Sequence, residues 1–380
     1  MQRSDFLTLI HRKFRLLVGL LVLIGFGVLS WQPYQPPAAI ELDKRVRYLE
    51  RVIQEGAGVG TDLASINSQN PEWTLFSLSF SAYALASRAQ QQPAFRPEAA
   101  RYVAQAVAQM LQPPVRSAFE PLATVASPID TTGSVLYLGH LNLMLGCLRQ
   151  LDPATTYAGL HDTLSGALYR RYGRARSGCL ESYAGQRWVP DNTVALASLA
   201  LHSQLTGSPC HAAARRWVAW ARQHYLDPKT GVLASQIDAQ GRPQEEARGS
   251  MVGWSIWFLA RFDPKFAWQQ YQRYQTHFST NLGVVRLYRE RAATYTTSYG
   301  DIDSGPLLLG YSMPANAFAF ADAMALHDLR NARRLHRLIA LGRRSVESPT
   351  ELQYAVRFLD LPVSPLAEAL LLSAECPVVR

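Results

Sequence analysis

Side chains suited to acid–base chemistry gather at three places, each just before or inside a long apolar segment. They are Glu181, Tyr183, Arg187, Trp188 and Asp191 before 192–206; Tyr299, Asp301, Asp303 and Ser304 before 312–326; and His140 inside 134–150. Paired carboxyl groups perform general acid–base catalysis when one protonates a leaving oxygen and the other accepts a proton. The three clusters therefore indicate an enzyme site for a hydroxylated or glycosidic substrate.

Within these clusters, Asp191 and Glu181 are the predicted acid/base pair, and His140 is a predicted proton shuttle or orienting group. Asp303 is the third predicted catalytic carboxylate, and together with Tyr299 it is expected to position the substrate. Further substrate contacts are predicted for Tyr183, Trp188, Trp254, Asp301 and Cys179. No metal and no organic cofactor are expected at this site.

Each of these residues also has a structural explanation that the sequence leaves open. Asp191 can be the N-cap of the helix that follows it, and a histidine in an apolar helix is more often a hydrogen-bonded core residue than a catalytic one. Asp301 and Asp303 can close a turn or pair with a neighbouring arginine. Glu181 can be a solvated loop charge, and Trp254 can be a packing residue.

Apolar periodicity and Pro, Gly and Asp punctuation predict twelve helices along the chain. They lie near 41–54, 72–90, 97–112, 134–150, 156–172, 192–206, 211–225, 250–261, 264–280, 312–326, 329–343 and 364–375. Short β-type stretches, at 232–237 and 284–288, occur only in connections. The alternating strands and helices of a parallel sheet are therefore not expected.

Two kinds of helix alternate along the chain. Segments such as 135–148 and 192–205 are apolar nearly all round, whereas 99–111 and 212–226 have one apolar and one charged face. A helix that is apolar all round is buried on two sides, and an amphipathic helix covers it from outside. The pattern predicts an all-α (α/α)6 barrel, with a helical solenoid as the rival fold that no fixed sequence period supports.

The N-terminus predicts a membrane anchor. A charge-free run extends from Leu16 to Trp31, about 24 Å if helical, after a basic segment and without a small-residue cleavage site. The positive-inside rule places the basic segment in the cytoplasm and the large domain outside it, which in a bacterium is the periplasm. The predicted organisation is a cytoplasmic segment at 1–15, a single-pass anchor at 16–31, a Pro-rich linker at 32–40 and one barrel domain at 41–380.

The composition of the chain argues against several classes of function. Hydrophobic residues make up 48% of the 380 residues, which suffices for a large core, and the formal net charge of +9 comes partly from the basic N-terminus. The sequence contains no basic run interleaved with aromatic residues, the pattern that would indicate nucleic-acid binding. Four scattered cysteines lack metal-ligand spacing and allow three disulfide pairings, so free buried thiols are the simplest expectation. Arginines at 330, 333, 334 and 337 are expected to form a solvated helix face.

The chain resembles the linalool dehydratase/isomerase family over most of residues 70–375. The resemblance rests on Tyr137 to Met144 (YLGHLNLM), on Cys179 to Ala195 with the LDPKTG turn at 226–231, and on the Gly300 to Gly305 loop. It implies an (α/α)6 barrel and a site built from a histidine and two cysteines. His140 matches the histidine, Cys179 lies beside the position of the first cysteine, and Asp191 stands where the second would be.

Taken together, the residues and the resemblance predict a cofactor-independent lyase or isomerase of this family, acting on an alcohol or another hydroxylated small molecule. Because (α/α)6 barrels often cleave sugars with paired carboxylates, a glycoside hydrolase or polysaccharide lyase is the first alternative. A non-catalytic binding protein of the cell envelope is the second. The sequence leaves a homo-oligomer open and gives no partner beyond substrate and membrane.

Overall fold

The computed structural model describes residues 18–20, 24–29, 31–119, 133–295, 307–359 and 361–376. Helices dominate these residues. In chain order they are α1 (Ala39–Glu55), α2 (Asp62–Gln69), α3 (Pro71–Gln91), α4 (Arg96–Met110), α5 (Pro113–Arg116), α6 (Val135–Leu151), α7 (Ala158–Arg174), α8 (Val189–Thr206), α9 (His211–His224), α10 (Gly249–Leu259), α11 (Pro264–Phe278), α12 (Met313–Ala325), α13 (Leu329–Gly342) and α14 (Pro365–Glu375).

Six of these helices form a closed inner ring. Around the ring α3 packs against α6, α6 against α8, α8 against α10, α10 against α12, α12 against α14, and α14 returns to α3. The amphipathic helices α1, α4, α7, α9, α11 and α13 lie outside the ring. This arrangement is the (α/α) barrel predicted from the sequence, and each of the twelve predicted segments corresponds to one of these twelve helices.

The chemistry of each helix sets its layer. Helix α8 in the inner ring is buried along nearly its whole length, whereas α9 outside it buries only five residues on one face. Small residues let the inner helices approach closely. A Cβ built on Gly139 of α6 would lie 3.0 Å from the Cβ of Ala195 in α8, so glycine permits this contact.

Most inner helices begin at a polar cap. The side chains of Asn70, Ser134, Ser312 and Ser364 each accept a hydrogen bond from a backbone N–H of the first turn. Proline follows in the first turn of three of these helices, where its missing N–H costs nothing. Four of the six inner helices therefore start at a capping side chain, whereas α8 and α10 begin without one, and all six starts lie at one end of the ring.

The two ends of the barrel differ in their connections. Inner helices lead to outer ones through short links at 92–95, 152–157, 207–210, 260–263 and 326–328. Outer helices lead back to inner ones through long connections that carry the strands. We call this long-connection end, where the inner helices begin, the mouth of the barrel. Long connections on a rigid scaffold are where binding and catalytic residues concentrate.

The strands are short and antiparallel. They are β1 (Arg187–Trp188) paired with β2 (Gln236–Ile237), β3 (Ser279–Asn281) with β4 (Arg286–Tyr288), and β6 (Leu352–Val356) with both β5 (Arg343–Glu347) and β7 (Leu361–Pro362). Of these strands, β2 lies within the predicted stretch 232–237 and β4 within 284–288, whereas β1, β3 and the third sheet were not predicted. All of them lie in the long connections.

A buried ionic cluster closes the ring between the first and last helices. Arg45 of α1 pairs with Glu375 and Glu368 of α14, and its guanidinium lies 4.7 Å from the centroid of the Tyr354 ring. Both partners are almost fully buried, so losing one would leave the others without compensation. The cluster fixes the chain's N-terminal outer helix to its final inner helix.

The predicted anchor at 16–31 is described only in part. Within the described residues no helix has both the length and the apolar character needed to cross a membrane. Downstream of it, Tyr34 is buried against Phe320 and His336, and its backbone N–H donates to the carbonyl of Leu329. The linker is thereby attached to the start of α13.

Candidate active site at the barrel mouth

A hairpin at residues 181–187 forms one wall of the mouth. Its backbone closes through Ser182 N–H to the Gln186 carbonyl at 2.9 Å. Inside it, Glu181 Oε1 pairs with Arg187 at 2.5 Å and Oε2 accepts the N–H of Gly185 at 3.2 Å. The Glu181 carbonyl also accepts the first N–H of α6 from Val135 at 2.9 Å. Glu181 thus braces the hairpin and attaches it to the start of α6.

Asp191 lies in the first turn of α8 and retains 7% of its exposed surface. The residue that occupies the N-cap position is Trp188, which makes no side-chain cap bond. The interpretation of Asp191 as an N-cap is therefore wrong. Asp191 therefore belongs to the first turn of α8, at the mouth of the barrel.

Asn192 locks the start of α8 in place. Its side-chain oxygen accepts the backbone N–H of Leu180 at 2.8 Å and the hydroxyl of Tyr172 at 2.9 Å, while its amide donates to the carbonyls of Leu180 and Trp188. Because this buried amide is satisfied on both sides, the turn that carries Asp191 is held rigidly.

A second carboxylate enters the mouth from α3. Glu72, which is half-buried, accepts a hydrogen bond from the hydroxyl of Tyr183 on the hairpin. This contact joins α3 to the connection before α8. Glu72 and Asp191 therefore belong to the same end of the barrel, on inner helices separated only by α6.

An arginine and a third carboxylate extend this group of polar residues around the mouth, toward α10 and α12. We call the whole group, with Glu72, Glu181, Asp191, Arg248 and Glu290, the polar belt. The guanidinium of Arg248 lies 5.6 Å from the centroid of the Trp188 ring and 3.7 Å from Glu290. Glu290 accepts the Ser250 hydroxyl at 2.6 Å. Burial raises the pKa of Glu290, against hydrogen bonds from Ser250 and Ser312 and the nearby charge of Arg248.

Aromatic rings fill the barrel axis beneath this belt. Neighbouring ring centroids lie 4.8–6.4 Å apart, mostly in tilted or edge-on arrangements, while Phe80 stacks on Trp257 and Tyr83 on His140. The cluster comprises Phe76, Phe80, Tyr83, His140, Trp254, Trp257, Phe258 and Phe318. Phe76 is half-exposed toward the mouth and Phe80 is fully buried below it. The mouth therefore has an aromatic floor above a packed core.

His140 belongs to this core. It has no exposed surface, and its Nδ1 lies 3.0 Å from the hydroxyl of Tyr83. Burial lowers the pKa of His140 to about 3, so the ring is neutral at ordinary pH. Its Nε2 has no hydrogen-bond partner, and neither has Nε1 of Trp254, whose ring centroid is 5.6 Å away.

Cys179 lies between the inner ring and the outer helix α9. Its Sγ accepts the indole N–H of Trp217, an α9 residue, at 3.3 Å, and it is buried. Burial raises the pKa of Cys179 to about 11, so the thiolate is scarce at neutral pH. The other cysteines, Cys147, Cys210 and Cys376, are also buried and free.

Four of the predicted site residues, Glu181, Tyr183, Trp188 and Asp191, lie in or directly after the hairpin, up to the first turn of α8. Trp254 and His140 belong to the aromatic cluster beneath them, and Cys179 faces the outer helices. Tyr299, Asp301 and Asp303 lie outside the described residues. Three charged residues of the polar belt were not predicted from the sequence: Glu72, Arg248 and Glu290. Glu72 two residues after the Asn70 cap could have been noticed, because Asp191 has a similar place in α8.

Solved structures with this fold cover nearly the whole chain. An inactive variant of an α-1,6-mannanase from Salegentibacter sp. HEL1_6, bound to α-1,6-mannotetrose, is 10% identical with a TM-score of 0.55, over 88% of this chain and 98% of that one. A family 105 glycoside hydrolase of C. acetobutylicum ATCC 824 is 11% identical with a TM-score of 0.56, over 86% and 98%.

An unsaturated glucuronyl hydrolase from Streptococcus agalactiae is similar at 10% identity with a TM-score of 0.55, over 90% of this chain and 93% of that one. No protein-family model matches the chain. At these identities the likeness concerns the fold, and it agrees with the closed ring of paired helices described above.

Proposed function

We propose that this protein is an enzyme that hydrolyses glycosidic bonds at the barrel mouth. One observation carries the proposal: carboxylates from two inner helices, Glu72 and Asp191, flank a mouth with tryptophan on its wall and aromatic rings on its floor. Sugar recognition combines flat apolar faces with a few polar groups. The three solved structures of similar fold support the same proposal, since they are named as an α-1,6-mannanase, a glycoside hydrolase of family 105 and an unsaturated glucuronyl hydrolase.

In the proposed reaction Asp191 donates its proton to the glycosidic oxygen as the bond to the anomeric carbon breaks. Water attacks that carbon and gives its proton to Glu72, so that one water is consumed for each bond cleaved. Glu72 suits the basic role because the Tyr183 hydroxyl donates to it. Glu181, predicted as the partner of Asp191, is committed to Arg187 and Gly185 and has a bracing role in this scheme.

Dehydration or isomerisation of an alcohol is the second candidate, and His140 is the observation that favours it. A histidine nitrogen without a partner, surrounded by aromatic rings, suits a small apolar alcohol. The absence of any exposed surface on His140 and the outward position of Cys179 favour the first candidate.

The test compares variants on a panel of oligosaccharides and chromogenic glycosides. Asp191→Asn and Glu72→Gln are expected to lower turnover by about two orders of magnitude, the usual effect of losing a general acid or base. Cys179→Ser and Glu181→Gln are the matched controls and should be milder. Thermal unfolding of each variant separates catalysis from stability.

Two results would count against this proposal. If Cys179→Ser abolishes activity while Asp191→Asn preserves it, thiol chemistry operates instead. If the protein binds an oligosaccharide but no variant and no substrate shows turnover, the barrel is a binding protein of the envelope. Asp303 stays a predicted third carboxylate of the site, and Asp303→Asn belongs in the same series.

A further inference from the structure

Helix α13 carries an arginine face. Arg330, Arg333, Arg334 and Arg337 follow the i, i+3, i+4, i+7 spacing that places them along one side of the helix. The side chain of Arg286, from β4, lies near enough to disfavour the charge on Arg334. We use the term arginine face for these five residues. It concentrates five positive charges on one outer surface of the barrel.

No carboxylate pairs with the arginine face in the described part of the chain. Helix α1 offers the contrast, because Arg45, Arg47 and Arg51 each pair with at least one glutamate. Partial burial and the neighbouring Arg286 and Arg330 lower the pKa of Arg334, against the opposing charge of Asp328, which forms no ion pair with it. Holding like charges this close together costs free energy. Such a cluster is suited to binding an external anion.

The segment that leads to the predicted anchor lies against the same face. Arg337 donates to the carbonyl of Leu29 at 2.6 Å and to Gln32 Oε1 at 2.8 Å. The guanidinium of Arg330 stacks 3.8 Å from the centroid of the Trp31 ring. Leu29 and Trp31, at the end of the charge-free run, therefore lie beside these arginines.

Exposed apolar side chains surround the arginine face. Trp31 keeps 67% of its surface exposed, and Leu29, Leu329 and Leu341 are exposed as well. Basic side chains mixed with tryptophan and leucine are typical of a surface that lies on a lipid headgroup layer. A nucleic-acid surface would instead be basic and polar, with aromatic rings available for stacking on bases.

We propose that the arginine face binds the phosphates of anionic lipids and holds the barrel against the membrane that its N-terminal segment enters. The proposal is independent of the proposed enzyme activity, and it uses the predicted anchor to identify the membrane as the occupant. Each arginine near an anionic surface contributes about fivefold to surface affinity. Four arginines together can shift the balance between docked and undocked barrel by about 600-fold.

The experiment uses the full-length chain in nanodiscs of phosphatidylcholine, with or without phosphatidylglycerol. A nitroxide is attached to Leu341→Cys at the exposed end of α13, where the four native thiols are buried and do not compete. Collisions with a water-soluble nickel chelate report whether the label is shielded. A label at Gln223→Cys on α9 is the control position.

Phosphatidylglycerol is expected to shield the label at 341 by about threefold or more and to leave the label at 223 unchanged. Changing the four α13 arginines to glutamine should abolish the shielding, while changing them to lysine should retain most of it. The matched control changes Arg170, Arg174, Arg215 and Arg216 of α7 and α9 to glutamine, which removes the same charge from exposed positions elsewhere. This variant should dock like the wild type.

Equal shielding with and without phosphatidylglycerol would overturn the proposal, as would an equal loss in the matched control. Binding of duplex DNA that depends on the α13 arginines, without lipid-dependent shielding, would show that the occupant is a nucleic acid. If the chain fails to enter neutral nanodiscs, the anchor prediction is wrong. Sedimentation with phosphatidylglycerol vesicles then tests the arginine face alone, with the same variants and the same expected order.

Discussion

Replacing His140 tests whether this residue is a core residue or a proton shuttle. The pKa of His140 falls to about 3 in the folded protein, below its ordinary value of 6.5, because burial disfavours the charged ring. The stability contributed by the neutral ring is therefore complete above pH 6.5 and is lost as the pH falls toward 3. Between pH 7 and pH 5 the unfolded chain takes up a proton that the folded chain refuses, which costs about 2 kcal/mol.

The assay is urea unfolding of the full-length chain in non-ionic detergent, followed by circular dichroism at pH 7 and pH 5. Between pH 7 and pH 5, the decrease in the free energy of unfolding should be about 2 kcal/mol smaller for His140→Gln than for the wild type. Other titrating groups are common to both proteins, so the difference isolates His140. The amide of glutamine can still accept the hydroxyl of Tyr83.

His224→Gln is the control for the substitution itself, because it makes the same change at an exposed position on α9. Turnover of His140→Gln is measured at pH 7 in parallel. Equal losses of stability in the wild type and His140→Gln, combined with loss of turnover in the variant, would refute the assignment of His140 to the core. A solvated, titrating histidine at the reaction centre would then be the correct description.

Three further predictions concern the fold. Arg45→Met should lower the free energy of unfolding by about 3–5 kcal/mol because it removes the buried cation shared by Glu368 and Glu375 and leaves Glu375 only the longer contacts with His336 and Arg343, whereas Lys44→Met should cost about 1 kcal/mol or less; urea unfolding measures both. Gly253→Ala should cost about 1–3 kcal/mol, since the new Cβ would lie 2.7 Å from the Cβ of Phe318, and thermal unfolding checks it. The four buried thiols should react with iodoacetamide only after unfolding, as counted by mass spectrometry.

The helices and their layers could be predicted from the sequence because both follow from local pattern. All-round apolar segments such as 135–148 belong to the inner ring and amphipathic ones such as 212–226 to the outer ring. Caps such as Ser134 and Ser364 fix where the inner helices begin. The short helix Asp62–Gln69 and the sheet of β5, β6 and β7 escaped prediction because neither has a strong period.

The candidate site could be predicted only in part, because convergence depends on helix rotation and on long connections. The sequence places Cys179 near Asp191, yet its thiol faces Trp217 in the outer layer. Glu290 lies in a connection without periodicity, and its contacts with Arg248 and Ser250 show that it reaches the start of α10. Pattern alone indicates which end of a helix is polar, and packing decides which polar groups meet.

Isotope labelling from water tests the central claim most directly. The full-length protein is incubated in H₂¹⁸O with oligosaccharides and, separately, with terpene alcohols, and the products are weighed by mass spectrometry. Hydrolysis at the mouth predicts one ¹⁸O atom for each bond cleaved, on the anomeric carbon of one product, while the other product keeps the original glycosidic oxygen; this labelling should be lost in Asp191→Asn. Formation of an alkene from an alcohol with loss of water, and no labelled sugar, would contradict the account.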